Sequence, residues 1–294
     1  MSLLLESETD FGLSLLRQQD LSQSTIFSPI SIALALSLVH LAAKEETRNQ
    51  IREALAKDAQ KLYKANGSVL DFNDTDATTE TINNFVKTQT KGHIVKVVNP
   101  LSISPDLVAI LVNALYFKAE WNKPFKPTDT FKENFYTNAN EQRQFPYKDD
   151  CFSFHVVLPK TRFGLGEALK TLNASTLQEI LKNQKIEFLN VHLPKFHIES
   201  EMALKEALQS VGIRDAFERS ADLSNFAEGL FVSKVTHKAM IDVDEDGTTA
   251  AAATTVDITF TSLTLQEPIV FKANHPFLFV LAKDNHPLFI GTHL

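Results

Sequence analysis

The chain has 294 residues, 44% of them apolar, with 9 Gly, 11 Pro and a formal net charge of −7. This is an ordinary globular composition, too apolar for disorder, and its acidic balance argues against a nucleic-acid partner, which needs clustered Lys and Arg. No stretch approaches the roughly 18 uninterrupted apolar residues of a membrane-spanning helix, so no membrane partner is expected.

No Pro/Gly/Ser linker or charge run divides the chain, so a single domain over residues 1–294 is expected. Met1–Glu8 carries three leucines and then acid, without the basic start and long apolar run of a secretory signal, and a cytoplasmic protein is expected. Cys151 is the only cysteine, which excludes an internal disulfide, and a small core residue is the expected role. The sequons at Asn66, Asn73 and Asn173 matter only in the secretory pathway.

In chain order, Glu8–Gln18 has the apolar spacing of a first amphipathic helix, and Thr25–Ser28 reads as a short strand. Pro29 opens a buried helix through Val39, since proline suits a first helical turn. Glu45–Leu55 and Thr78–Thr90 follow as helices. Val108–Phe117 is a nearly unbroken run of strand formers, predicting a central strand buried on both faces. Lys185–Phe196 and Gly229–Val243 alternate as strands do, with Met202–Val211 helical between them. Val270–Phe271, Phe277–Leu281 and Leu288–Ile290 are short closing strands. Strands and helices mix without strict βαβ alternation, so the fold class is α+β.

One segment is low in complexity: Gly247–Thr255, GTTAAAATT. Continued to Phe260 as a strand, it places Thr248, Ala250, Ala252, Thr254, Val256 and Ile258 on one face, small and uncharged. The other face carries Thr249, Ala251, Ala253, Thr255, Asp257 and Thr259, including the only charge. Four alanines favour helix, while the flanking threonines and Val256–Thr259 favour strand. A segment that is first loop and later strand would have this ambiguity, and so would a plain Ala/Thr linker.

The stretch Val243–Val256 resembles the hinge and proximal reactive-centre loop of the serpins, the serine protease inhibitor family. Five further motifs resemble serpin signatures in serpin order: Phe27-Ser-Pro-Ile-Ser-Ile, Asn113-Ala-Leu-Tyr-Phe-Lys-Ala-Glu-Trp121, Lys234-Val-Thr-His-Lys-Ala, His275-Pro-Phe-Leu-Phe and Pro287-Leu-Phe-Ile-Gly. Together they cover nearly the whole chain. The style is that of intracellular, ovalbumin-like or invertebrate serpins, for which release from the cell also occurs.

The resemblance implies three β-sheets with surrounding helices and an exposed reactive-centre loop over about residues 247–270. It makes Val108–Trp121 and Gly229–Asp244 neighbours in the largest sheet. Ser28, Ser31, Asn113 and His237 match the polar shutter beneath the point where that sheet opens, and Trp121 matches the aromatic of the breach above it. Glu245, Gly247, Thr248, Ala250 and Ala252 match the hinge. The implied function is inhibition of a serine endopeptidase by a monomer acting as a suicide substrate. The protease serine attacks a loop bond, and the hinge inserts as a new strand. From Gly247 to Thr261 the inserted strand spans about 45 Å, enough to carry an acylated protease to the opposite pole.

The family's spacing from the hinge glycine puts the reactive bond at Thr261–Ser262, with Phe260, Leu263 and Leu265 as alternatives. Their apolar character fits chymotrypsin-like or elastase-like targets, and papain-like cysteine proteases belong among the candidates. No Arg lies between Gly247 and Phe271, which disfavours trypsin-like targets. Asp257 would suit an Asp-specific protease but lies too near the hinge for productive insertion.

Two blocks usual in serpins are absent, one between Leu55 and Ala65, the other between Gln144 and Tyr147. The first should include a strand bordering Val108–Phe117, whose loss would expose apolar surface. Thr249 stands where many serpins carry Glu, and Thr292 where a basic residue usually follows the glycine. A shortened isoform, a faulty gene model and a decayed paralogue would all look like this, and a non-inhibitory binding or structural role is the alternative function.

Other chemistries find no support. Gly164-Leu-Gly166 lacks the third glycine of a dinucleotide loop. His192 and His197 flank Pro194 in extended chain, so they do not make a helical metal pair. No Ser, His and acid set announces a hydrolase. No enzyme activity, metal or cofactor is expected.

Overall fold

The computed structural model describes residues 2–55, 70–132, 141–146, 151–183, 189–248 and 268–294. Seven helices are found among them: α1 (Ser2–Leu16), α2 (Pro29–Ala42), α3 (Glu45–Leu55), α4 (Thr75–Gln89), α5 (Leu165–Thr171), α6 (Ala174–Lys182) and α7 (Lys205–Ser210). The strands are β1 (Thr25–Phe27), β2 (Ile110–Tyr116), β3 (Ala119–Glu120), β4 (Glu141–Pro146), β5 (Phe152–Leu158) and β6 (Leu189–His192). They continue with β7 (Phe196–Ala203), β8 (Lys234–Val243), β9 (Gly247–Thr248), β10 (Ile269–Lys272), β11 (Phe277–Lys283) and β12 (His286–His293).

The strands make a five-stranded sheet β1-β12-β11-β5-β4, a three-stranded sheet β2-β8-β7, a parallel pair β10-β6 and a two-residue clip β3-β9. The class is α+β, as expected. Val108–Trp121 and Gly229–Asp244 do supply neighbouring strands, β2 and β8. Among the described residues, however, their sheet has three strands, β2, β8 and β7, and the five-stranded sheet is the larger.

Local chemistry accounts for most boundaries. The Ser28 hydroxyl caps α2 by accepting from the Ser31 amide, and Pro29 follows in the first turn. In α3 the buried positions Thr47, Ile51 and Leu55 recur every four residues, making one inward stripe. Asp74 caps α4 and Asn173 caps α6 through side-chain oxygens. In β7 burial alternates strictly, with Phe196, Ile198, Ser200 and Met202 inward.

The aromatic core lies between the two larger sheets. Phe154, Phe277 and Phe279 of the five-stranded sheet meet Phe196, Ala239 and Ile241 of the three-stranded one. A second core joins α1, α2, α3, α5 and α6 to the back of the five-stranded sheet. A third, smaller one covers the opposite face of β2, where Ile82 and Val86 of α4 and Ile94, Val97, Val98 and Ile103 pack against Ile110, Val112 and Ala114.

Several expectations need correction. β2 is not buried on both faces: all seven of its residues are half-buried. Its only ladder partner among the described residues is β8. Met202 and Ala203 belong to β7, because inward alternation prevails until Leu204, and the helix begins only at Lys205. The strand expected from Gly229 starts at Lys234, after Gly229 has taken a positive φ of 71°. Cys151 is exposed rather than in the core, at the turn opening β5.

Candidate functional site

β2 and β8 run parallel, with Asn113 directly opposite His237 in the register. Both inner side chains point toward the start of α2. The backbone N–H of Ser28 donates to His237 Nε2 at 3.1 Å, which places the ring proton on Nδ1. Nδ1–H then donates to Asn113 Oδ1 at 2.7 Å, across the seam between the strands. Asn113 Nδ2 in turn donates to Ser31 Oγ at 2.6 Å and to the Ser31 carbonyl at 3.1 Å. The four shutter residues are thus brought into one network. His237 is wholly buried, and burial pushes its imidazole down to about 3, so the ring is neutral.

The top of β8 turns back sharply. Asp244 Oδ1 accepts from the Asp246 and Gly247 amides at 3.0 and 3.1 Å, and the Asp244 amide donates to the Gly247 carbonyl at 2.9 Å. The chain leaves this turn antiparallel to β8, and Gly247–Thr248 forms β9 against Ala119–Glu120 of β3. Only glycine fits the bend. Gly247 has φ +154°, and a Cβ there would lie 2.3 Å from the Ala119 carbonyl oxygen and 2.7 Å from Glu120 Cα.

Trp121 is buried at this point, 1% exposed, with its ring against Phe154 and Phe125. Its indole N–H donates to the Asp244 carbonyl at 2.9 Å, and its amide donates to the Asp246 carbonyl, also at 2.9 Å. The Phe125 amide donates to the Glu245 carbonyl at 2.8 Å. Segment 119–125 therefore holds all five residues from Asp244 to Thr248.

Glu245 is fastened on its other side. Its carboxylate accepts from Lys195 Nζ and from Thr130 Oγ1, each at 2.7 Å. The Lys195 bond, then that of Thr130, holds the carboxyl below the usual carboxylate range, and the same contact raises the Lys195 ammonium. Sequence reasoning found Glu245 and Trp121 but not Lys195, Thr130 or Phe125. Lys195 lies fifty residues upstream on a different strand connection, and no local pattern marks the pairing.

Of the hinge residues, Glu245, Gly247 and Thr248 are placed by the structure. Ala250, Ala252, Asp257 and the candidate bond Thr261–Ser262, with Phe260, Leu263 and Leu265, lie outside the described residues. The described residues resume at Pro268, and β10 pairs in parallel with β6. Among the described residues no group of three His, Cys, Asp or Glu side chains is arranged to hold a metal ion.

This geometry is a tight turn above a parallel seam with a polar network beneath it, and comparison with known proteins identifies the family. The serpin (serine protease inhibitor) family model matches residues 6–59, 56–146 and 143–294. The chain belongs to the serpin family. This serpin is 32% identical to Antichymotrypsin-2 of Bombyx mori over 272 residues, 83% of this chain and 72% of that one. It is 29% identical to human Serpin B3 in an alignment covering 99% of both. That alignment is 386 residues long, more than the 294 of this chain, so it crosses gaps here. The three family matches meet at residues 56–59 and 143–146, where the two blocks are missing by sequence. Among solved structures, the native state of the thermophilic serpin tengpin superposes with a TM-score of 0.84 at 28% identity, covering 100% of this chain and 94% of that one.

Proposed function

We propose that this serpin inhibits a serine endopeptidase by acting as its suicide substrate. The observation that carries the reading is the relation of the hinge to the seam. The chain leaves the top of β8 already reversed, above two strands that run parallel to each other. A strand fed down from Thr248 would run antiparallel to both. One parallel ladder of seven register pairs would be exchanged for two antiparallel ladders, and antiparallel pairing is the more stable per residue.

The chemistry is that of an interrupted hydrolysis. The protease serine Oγ attacks the carbonyl of Thr261, the Thr261–Ser262 amide bond breaks, and the new amino terminus at Ser262 takes up a proton and leaves. Thr261 remains as an ester on the protease. Hinge insertion then has to outrun attack of water on that ester. Phe260, Leu263 and Leu265 near the bond support an apolar primary pocket, and so a chymotrypsin-like or elastase-like target. The relation to a protein named an antichymotrypsin supports the same class.

Incubation with chymotrypsin-like, elastase-like and papain-like proteases, followed by a denaturing gel, tests the reading. A covalent complex with one of them is expected. Cleavage that leaves the protease free and active in every case would overturn it.

A second reading, a serpin that binds a partner without trapping, is favoured by β2. That strand is half-buried along its length and has a neighbour on one side only among the described residues. A three-stranded sheet offers an entering strand less support, and cleavage without stabilisation would be the sign of this role.

A further inference from the structure

Three consecutive residues at the middle of β8 meet the seam differently. His237 faces inward and is satisfied by Ser28 and Asn113. Lys238 faces the other way and is satisfied too, donating to the Lys96 carbonyl at 2.8 Å and pairing with Glu199 at 2.6 Å. Thr236 shares the face of Lys238, is 2% exposed, and its hydroxyl has no hydrogen-bond partner.

The surroundings explain why. Thr236 is flanked in register by Val112 of β2 and Ala203 of β7, neither of which offers a side-chain acceptor. Val112 packs in turn under the apolar layer of Ile82, Val86, Val97 and Val98. A buried hydroxyl beside such a layer, with no protein group to bond, carries a cost of desolvation that nothing offsets. Valine has the same shape and would avoid that cost. The threonine also stands at the seam that an entering strand must open, opposite Val112 in the register.

We propose that Thr236 is a stress residue: its buried, unpaired hydroxyl raises the free energy of the closed seam and is relieved when the β2–β8 ladder separates. This deepens the reading of the protein as a loop-inserting serpin and rests on it for the insertion arm of the test only.

The experiment compares wild type, Thr236→Val and Thr236→Ser. For the intact protein, Thr236→Val is expected to raise Tm by about 2–4 °C. After cleavage of the loop, insertion followed by Trp121 fluorescence is expected to slow by roughly fivefold. Thr236→Ser, which keeps the hydroxyl and loses a methyl group, should show neither gain. A Thr236→Val protein with unchanged or lower Tm overturns the proposal, since the hydroxyl is then satisfied. A raised Tm with unchanged insertion rate overturns the link to the seam. If wild type itself fails to insert, the proposed function falls, while the Tm comparison still decides whether the hydroxyl is a stress.

Discussion

His237 and Asn113 face each other across the parallel seam, joined by a 2.7 Å hydrogen bond that neither strand's backbone provides. Truncating Asn113 to alanine removes the acceptor for a wholly buried ring N–H and the donor to Ser31. The cost is expected at about 1–3 kcal/mol, the penalty of a buried polar group left unmatched. Urea unfolding of the intact protein measures it. A loss below a few tenths of a kcal/mol would mean that the network holds nothing closed.

The same ring makes stability depend on acid. An unfolded histidine titrates near 6.5, whereas burial holds His237 down to about 3. The folded state refuses a proton that the unfolded state accepts, so this contribution is complete above about pH 6.5 and is lost as pH falls toward 3. His155 and His293, both pushed by burial to about 4, act in the same direction. Urea midpoints are expected to be flat from pH 8 to 7 and to fall from pH 6.5 to 5, by up to roughly 1.4 kcal/mol per pH unit for each histidine. Replacing His237 with Gln should shallow that slope, and an equal slope in the variant would assign the effect elsewhere.

Glu245 joins the hinge to Lys195 and Thr130. Glu245→Lys puts two ammonium groups together and is expected to loosen the turn. Hydrogen exchange at the Trp121 and Phe125 amides, which donate to the Asp246 and Glu245 carbonyls, reports this directly. Lys195 is exposed to solvent, so the ion pair itself adds little to stability and its effect is local to the turn. Faster exchange at these two amides, with α3 unaffected, is the expected pattern. Uniformly faster exchange would indicate general destabilisation instead.

The alternating faces of the hinge can be separated by charge. Thr248→Arg puts a cation on the small, uncharged face of the segment, the face suited to burial if the segment enters the sheet, where an unpaired buried charge costs several kcal/mol. Insertion should stall and hydrolysis win, making the variant a substrate. Thr249→Arg lies on the opposite face and should trap almost normally. Two variants that trap equally, or fail equally, would contradict the assignment of faces.

Much of this was legible in the sequence where local chemistry decides the outcome. The α3 boundaries, Glu45–Leu55, follow from a four-residue stripe, and Pro29 after a capping serine marks α2. The shutter residues were named from motifs, and the structure gathers them into one network. What lay beyond reach depends on tertiary neighbours. β2 reads as a strand buried on both faces because its residues are apolar, yet its burial depends on which strands stand beside it. Met202 and Ala203 read as helix until the register with His237 and Thr236 fixes them as strand. The Lys195 partner of Glu245 and the unpaired Thr236 hydroxyl arise only from packing, and no spacing along the chain announces either.

The central claim is that the hinge enters the seam after cleavage, and one comparison tests it most directly. Intact protein and protein cut within residues 256–267 are melted side by side, with the single tryptophan, Trp121, as the probe at the hinge. An inserting serpin gains a strand in the sheet, so the cleaved form is predicted to melt tens of degrees higher. Superimposable melting curves would contradict the account and leave a serpin that is cut without closing on its protease.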